Sequence, residues 1–222
     1  SPEKGLGPVF FFFFCGACHP GDGKGHPFNS FFRFGQKDST GNLFLDKGGP
    51  QLQDRAIPGF KPETLPAGAT FSKFIAPANT GLGFLDAVPD TVLISLSDPD
   101  DTDGDGISGV PNWIDIPVYS ASRPNSIVRS DGKYIGRFGK KASTYDLLQQ
   151  TVTAYNQDIG ITSSFEPVDT YSGNLIEPEV DDNTILDLVF YLKTLKAPIQ
   201  RTPEDPDIIE GKNLFDIAGC SN

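Results

Sequence analysis

The chain has 222 residues, of which 37% are hydrophobic and 21% charged, as in an ordinary globular protein. Its 29 acidic and 18 basic residues give a net charge of -11. Nucleic acid and anionic membrane surfaces carry the same sign of charge, so both are excluded as expected partners. The longest apolar run, residues 8–14, is too short to cross a bilayer.

Most of the 24 glycines and 19 prolines lie in the first 140 residues. This distribution predicts a loop-rich half with short elements. Residues 91–94 are consistent with either a short strand or a helical turn, and no β-sheet is predicted.

Helical periodicity appears in the second half of the chain. Residues 143–159 begin with a Ser/Thr cap and end before Gly160, which is suited to the position after a helix. A second helix is predicted after the cap at residues 181–183 and before Pro198. Its apolar stripe consists of Ile185, Leu188, Val189, Leu192 and Leu195.

A third helix is predicted at residues 207–218, after the proline-rich segment 202–206. That segment is the predicted domain boundary. Residues 1–201 would form one domain, and residues 202–222 would be a linker and the first helix of another.

Cys15, Cys18 and His19 form a Cys-x-x-Cys-His motif. This spacing allows two thiols to form thioethers with the vinyl groups of one haem, and it places the histidine under the iron. Structural zinc would require four nitrogen or sulfur ligands, and a thioredoxin-like site would require a βαβ context. The motif therefore predicts covalently bound haem c in an exported protein.

Cys220 follows a segment that resembles the lead-in to the first motif. Phe215 stands five residues before Cys220, as Phe10 stands five residues before Cys15. We interpret Cys220 as the first anchor of a second haem motif, interrupted after Asn222. A lone free cysteine is the alternative.

The second axial ligand of the iron is undecided. The chain contains no methionine, and His26 is its only other histidine. His26 is therefore a candidate distal ligand, with a tyrosine, a lysine or an open position as alternatives. Two histidines would favour electron transfer, whereas an open iron would favour peroxide chemistry.

Residues 98–105 contain five aspartates. Their spacing follows the first half of an EF-hand calcium loop, although Asn112 stands where that loop has a bidentate glutamate. A calcium site without the EF-hand fold is predicted, with a solvated acidic turn as the alternative. The candidate ligands are Asp101, Asp103, Asp105, Ile107 and Asn112.

Several segments together resemble the di-haem oxidoreductase family of peroxidase-type, thiol oxidoreductase-like proteins. The resemblance implies a mainly α, loop-rich fold: a cytochrome-c-like haem domain with long inserted loops and the start of a second haem domain. It also implies a periplasmic or extracellular location. The segments that carry it are residues 15–25, 51–59, 98–113, 136–142 and 188–195.

The resemblance also implies candidate site residues. Cys15, Cys18 and His19 match the first haem motif, and five polar residues match other family positions. An arginine suits a haem propionate and a polar group can act on bound peroxide, although a structural ion pair is the alternative for each. These five are Gln51, Asp54, Arg55, Arg137 and Lys140.

Two functions follow from these observations. One is an exported multi-haem c-type cytochrome that carries electrons through covalent haem, with peroxidase-type chemistry at the iron. The alternative is a non-catalytic electron-transfer cytochrome, in a periplasmic or extracellular assembly. A third, weaker interpretation makes the haem structural in a calcium-stabilised module. A redox protein is the expected partner, with a homo-oligomer left open.

Overall fold

The computed structural model describes residues 5–35, 37–38, 41–42, 44 and 50–220. Within these residues, six helices and four two-stranded sheets are connected by long irregular segments. Helical residues, short 3-10 turns included, account for 29% of the described residues and strands for 11%. The prediction of a mainly α fold is therefore wrong, whereas the prediction of a loop-rich first half with short elements is confirmed.

The sheets are antiparallel pairs of very short strands. β1 (Val9–Phe10) pairs with β5 (Arg55–Ala56), and β2 (Phe31–Phe34) pairs with β6 (Phe71–Phe74). The prediction of no β-sheet is therefore wrong, because strands of two to four residues are too short to show an alternating pattern. The other pairs are β3 (Lys37–Asp38) with β4 (Gly41–Asn42), and β7 (Trp113–Ile114) with β8 (Tyr134–Ile135).

The three helices of more than six residues lie in the second half of the chain, as predicted. The segment at residues 91–94, left open between strand and helix, is helical. The six are α1 (Cys15–Cys18), α2 (Leu82–Ala87), α3 (Asp90–Ser95), α4 (Leu147–Asp158), α5 (Asp182–Thr194) and α6 (Pro206–Ile217).

Helix α4 begins at Leu147 because Asp146 caps it, whereas the predicted cap is Ser143 or Thr144. The Asp146 carboxylate accepts a hydrogen bond from the backbone N–H of Gln149 at 2.7 Å. The helix ends as predicted, with Gly160 in the left-handed region at φ +71°. A side chain at Gly160 would place its Cβ 2.0 Å from the carbonyl oxygen of Val9, so α4 ends in close contact with β1.

Helix α5 is confirmed together with its cap. The Asp181 carboxylate accepts hydrogen bonds from the backbone N–H and the hydroxyl of Thr184, at 3.1 and 2.7 Å. Helix α2 approaches α5 closely at Gly83, where a Cβ would lie 2.0 Å from the carbonyl oxygen of Lys193. The main core lies between α4 and α5 and consists of Phe138, Leu147, Val152, Ile185, Val189 and Leu192.

Helix α6 confirms the third predicted helix. Asp205 caps it, and none of its residues is buried. The domain boundary near residue 202 stays a prediction. Ser221 and Asn222, which belong to the proposed second motif, lie outside the described residues.

Candidate cofactor site

One helical turn presents the Cys-x-x-Cys-His motif. Helix α1 brings Cys15 and Cys18, three residues apart, onto neighbouring positions of the same turn. The backbone N–H of His19 donates to the carbonyl oxygen of Cys15 at 2.9 Å and closes the turn. The motif therefore has the compact geometry that attachment to one cofactor edge requires.

Cys15, Cys18 and His19 line a mainly apolar cavity of about 310 Å³. Its wall also includes one face of α4 and the residues Leu188 and Leu192 of α5. A volume of this size lies at the lower end of the range for sites that hold small molecules and cofactors.

The imidazole of His19 is held in a form that can bind a metal. Burial lowers its pKa, and the backbone carbonyls of Pro77 and Gly23 and the carboxylate of Asp22 oppose this in part. A neutral imidazole is the form that ligates iron. Nδ1 of His19 is buried and has no hydrogen-bond partner of good geometry among the described residues.

The two thiols of the motif are free. Burial raises the pKa of Cys15, and it raises the pKa of Cys18 to about 11, with the negative charge of Asp158 acting in the same direction. Both groups are therefore protonated at neutral pH. Such thiols lack the electropositive surroundings that activate redox cysteines, so the structure offers no support for a reactive dithiol.

Zinc does not fit this site. Among the described residues, the only group of three or more acidic, histidine or cysteine ligands close enough for one ion is Asp98, Asp101 and Asp103. Cys15, Cys18 and His19 do not form such a group. An apolar cavity with two free thiols and a neutral imidazole instead fits a haem, whose vinyl groups and iron are widely spaced.

Arg33 and Asp158, which sequence reasoning missed, form a polar cluster in the cavity wall with the predicted candidate Gln51. The Gln51 amide donates to the Asp158 carboxylate and, at 3.3 Å, to the carbonyl oxygen of Gln157. Burial raises the pKa of Asp158 to about 6, and Gln51 and Arg33 oppose the rise. No local signal could have linked residues that lie in β2, in a loop and at the end of α4.

Arg137 also lines the cavity, but its guanidinium is engaged elsewhere. It forms an ion pair with Asp90, and the two side chains are 1% and 2% exposed. It also donates to the carbonyl oxygens of Leu85, Asp86 and Val88. This geometry is that of a structural ion pair, the predicted alternative to contact with a haem propionate.

The other polar candidates differ in position. Lys140 is exposed and lines the cavity, whereas Asp54 is exposed and does not contribute to the wall. The guanidinium of Arg55 lies 4.6 Å from the ring centroid of Phe12 and 5.2 Å from that of Phe13. Arg55 therefore packs on the aromatic segment before α1 and does not line the cavity.

His26 and Cys220 lie outside the cavity wall. His26 is exposed, its Nδ1 accepts a hydrogen bond from the backbone N–H of Phe28 at 3.3 Å, and its ring stacks on Phe28. Cys220 is exposed just beyond α6. The structure thus brings together Cys15, Cys18 and His19, but it does not bring His26 to them.

The acidic loop places a different set of carboxylates together from the predicted one. Oxygen atoms of Asp98, Asp101 and Asp103 lie within 4.8 Å of one another. The side chain of Asn112 instead donates to the carbonyl oxygens of Lys141 and Ala142, both at 3.1 Å. Asp105 and Ile107 contact each other through a hydrogen bond from the Ile107 N–H to the Asp105 carboxylate.

Comparison with known proteins identifies the family of the chain. A family model described as "Di-haem oxidoreductase, putative peroxidase" matches residues 72–222, more than half of the chain. The chain belongs to the di-haem oxidoreductase family. Neither the curated proteins nor the solved structures include a significant match to it.

The family match and the haem motif occupy different parts of the chain. The matched residues 72–222 include α4, α5 and Arg137 from the cavity wall, but they begin after His19. The family name supports haem as the cofactor. The assignment of Cys15, Cys18 and His19 as its attachment site depends on the motif and on the cavity, and is therefore a proposal. No helix in the described part of this family member is long and apolar enough to span a membrane.

Proposed function

We propose that this di-haem oxidoreductase binds haem c covalently through Cys15 and Cys18, with His19 as the proximal iron ligand. The observation that carries the proposal is the placement of all three side chains in the wall of one apolar cavity. A haem bound there supplies an iron centre that takes up and releases one electron. The apolar wall would limit access of water to it.

We further propose peroxidase-type chemistry at this iron, in preference to electron transfer alone. His19 is the only histidine among the described residues that line the cavity, and the chain contains no methionine. A haem with one strong protein ligand exposes its other axial position to small molecules. The alternative, a six-coordinate carrier, would require either that His26 moves into the cavity or that Tyr155 or Lys140, which line it, ligates the iron.

The proposed location is periplasmic or extracellular, because haem c is attached to Cys-x-x-Cys-His motifs outside the cytoplasm. The proposed partner is a redox protein of basic or neutral charge, since the chain carries a net charge of -11.

The function is tested by expressing the protein in an exporting host that has haem-attachment machinery. We expect the purified chain to retain haem after denaturation, as shown by haem staining and intact mass. Replacing Cys15 and Cys18 by alanine should abolish this covalent haem. Cys220→Ala is the matched control and should keep it, and a wild-type chain without covalent haem would refute the proposal.

The same holoprotein distinguishes the two functions through the spin state of its iron. We expect a high-spin ferric spectrum that changes when cyanide or peroxide is added. His26→Ala should leave this spectrum unchanged. A low-spin spectrum that becomes high-spin in His26→Ala would instead establish His26 as the distal ligand and support the carrier function.

We propose calcium as a second bound group, at the loop around Asp98, Asp101 and Asp103. Asp98 and Gly109 exchange two backbone hydrogen bonds of 3.0 Å, which close the loop. Three carboxylate oxygens within 4.8 Å of one another match the hard oxygen ligands that calcium prefers.

Calcium is expected to raise the melting temperature of the holoprotein. At a concentration 100 times its dissociation constant, binding would stabilise the fold by about 2.7 kcal/mol. Asp101→Asn combined with Asp103→Asn should remove this effect. Asp100→Asn, in the same loop but outside the cluster, is the control. Differential scanning calorimetry measures the melting temperatures. An equal rise with calcium in all variants would contradict the site.

A further inference from the structure

The loop that follows the haem motif is tied to α5 by one hydrogen bond. The hydroxyl of Tyr191 donates to the carboxylate of Asp22 at 2.7 Å, across 169 positions of sequence. Asp22 has φ +58°, in the left-handed region that residues other than glycine seldom adopt. A tertiary contact therefore reaches the loop at a residue whose backbone is strained.

Asp22 also connects this loop to the segment at residues 76–79. Its carbonyl oxygen accepts from the backbone N–H of Asn79 at 2.9 Å, and the N–H of Gly25 donates to the carbonyl oxygen of Ala76 at 2.9 Å. A side chain at Gly25 would place its Cβ 2.8 Å from the carbonyl oxygen of Cys18. The loop is thus packed closely between the motif and residues 76–79.

His19 is surrounded by groups from these two segments. The carbonyls of Gly23, in the loop, and of Pro77 act on its imidazole, and the carboxylate of Asp22 acts on it through its charge. Nδ1 of His19 is buried among them without a partner of good geometry. Small shifts of the loop would therefore determine which carbonyl oxygen accepts a hydrogen bond from Nδ1 of His19.

We propose that Tyr191 is a positioning residue for His19: its hydroxyl holds Asp22, and thereby holds the acceptor carbonyls of the loop and of residue 77 beside the imidazole. The inference depends on the proposed function, because it takes His19 as the iron ligand. The hydrogen bond made by the second nitrogen of a ligating histidine orients the ring and raises its basicity as a ligand. A more basic ligand favours the ferric over the ferrous state of the iron.

The test compares the holoprotein with Tyr191→Phe, which removes only the hydroxyl group. We expect its reduction equilibrium to shift several-fold toward the ferrous form, where each tenfold change corresponds to about 59 mV. The iron–histidine stretching frequency in the resonance Raman spectrum should fall, because the ligand becomes less basic. Neither readout should change if Tyr191 only contributes to packing, since the ring is retained.

Tyr171→Phe is a matched control, because Tyr171 is 46% exposed and Tyr191 is 45% exposed. Its ring packs on Phe60 at 5.1 Å, and we expect neither the potential nor the Raman frequency to move. Asp22→Gly removes the acceptor carboxylate while suiting the positive φ. Adding Tyr191→Phe to Asp22→Gly should then produce no further shift, since the two residues act through one bond.

Two results would overturn the inference, and they are distinguishable from failure of the proposed function. A wild-type chain without covalent haem removes both proposals. A wild-type chain with covalent haem, together with an unchanged potential and Raman frequency in Tyr191→Phe, removes the role of Tyr191 alone. A shift of equal size in Tyr171→Phe would also remove it.

Discussion

Arg137→Met is expected to lower the free energy of unfolding by about 3–5 kcal/mol, because it leaves a buried carboxylate without its ion-pair partner. The partner is Asp90, whose side chain is 2% exposed and whose second oxygen accepts the backbone N–H of Ile127 at 2.8 Å. Three backbone carbonyls on α2 and the segment after it also lose their donor. Urea unfolding of the holoprotein measures the loss.

The double variant Arg137→Met with Asp90→Leu is the control for this prediction. It removes the buried charge as well, so much of the lost stability should return. Haem content measured on the same samples separates a structural role from a role in binding a propionate. Loss of haem with little loss of stability in Arg137→Met would contradict the structural assignment.

Asp158→Asn is expected to raise the free energy of unfolding above that of the wild type at neutral pH, and to have little effect at acidic pH. Burial raises the pKa of Asp158 to about 6 from the ordinary 3.8, so between these values the folded state retains a proton that the unfolded chain has released. The contribution of Asp158 to stability therefore falls as the pH rises from about 4 to about 6. A shift of roughly two units corresponds to about 3 kcal/mol at most.

The asparagine variant cannot ionise, and its side-chain oxygen still accepts the hydrogen bond from Gln51. Its gain in free energy of unfolding over the wild type should be largest at pH 7.5. The gain should nearly vanish at pH 4, where the asparagine of the variant and the buried Asp158 of the folded wild type are both neutral. Chemical unfolding at the two pH values measures this difference. Asp187→Asn, at an exposed position of α5, is the control. A gain for Asp158→Asn that is equal at both pH values would contradict the prediction.

The sequence predicted the elements whose signals are local. Helix α5 follows its Asp181 cap and its apolar stripe, and α4 ends at Gly160 as expected. In contrast, the paired strands contain too few residues for a period to appear, and this is why the fold class was wrong. Their stability comes from contacts across the chain, such as the rings of Phe31 and Phe74, whose centroids lie 5.9 Å apart.

The residues of the candidate site were likewise predicted only where their signals are local in the sequence. The spacing of Cys15, Cys18 and His19 identified the motif, because one helical turn determines its geometry. The aspartate spacing indicated the acidic loop but included Asp105 and Asn112, since spacing alone does not show which carboxylates turn toward each other. Asp158 could not be assigned to the cavity, because its neighbours there come from segments more than 100 residues earlier.

The cavity wall has a consequence for the order in which the protein matures. His19 precedes Leu192, another residue of the wall, by 173 positions, so the wall closes only when α4 and α5 pack around the motif. A chain that crosses the membrane before it folds would present both thiols on an open segment. In the proposed function, haem attachment would therefore precede closure of the cavity, and the wall would form around a cofactor that is already in place.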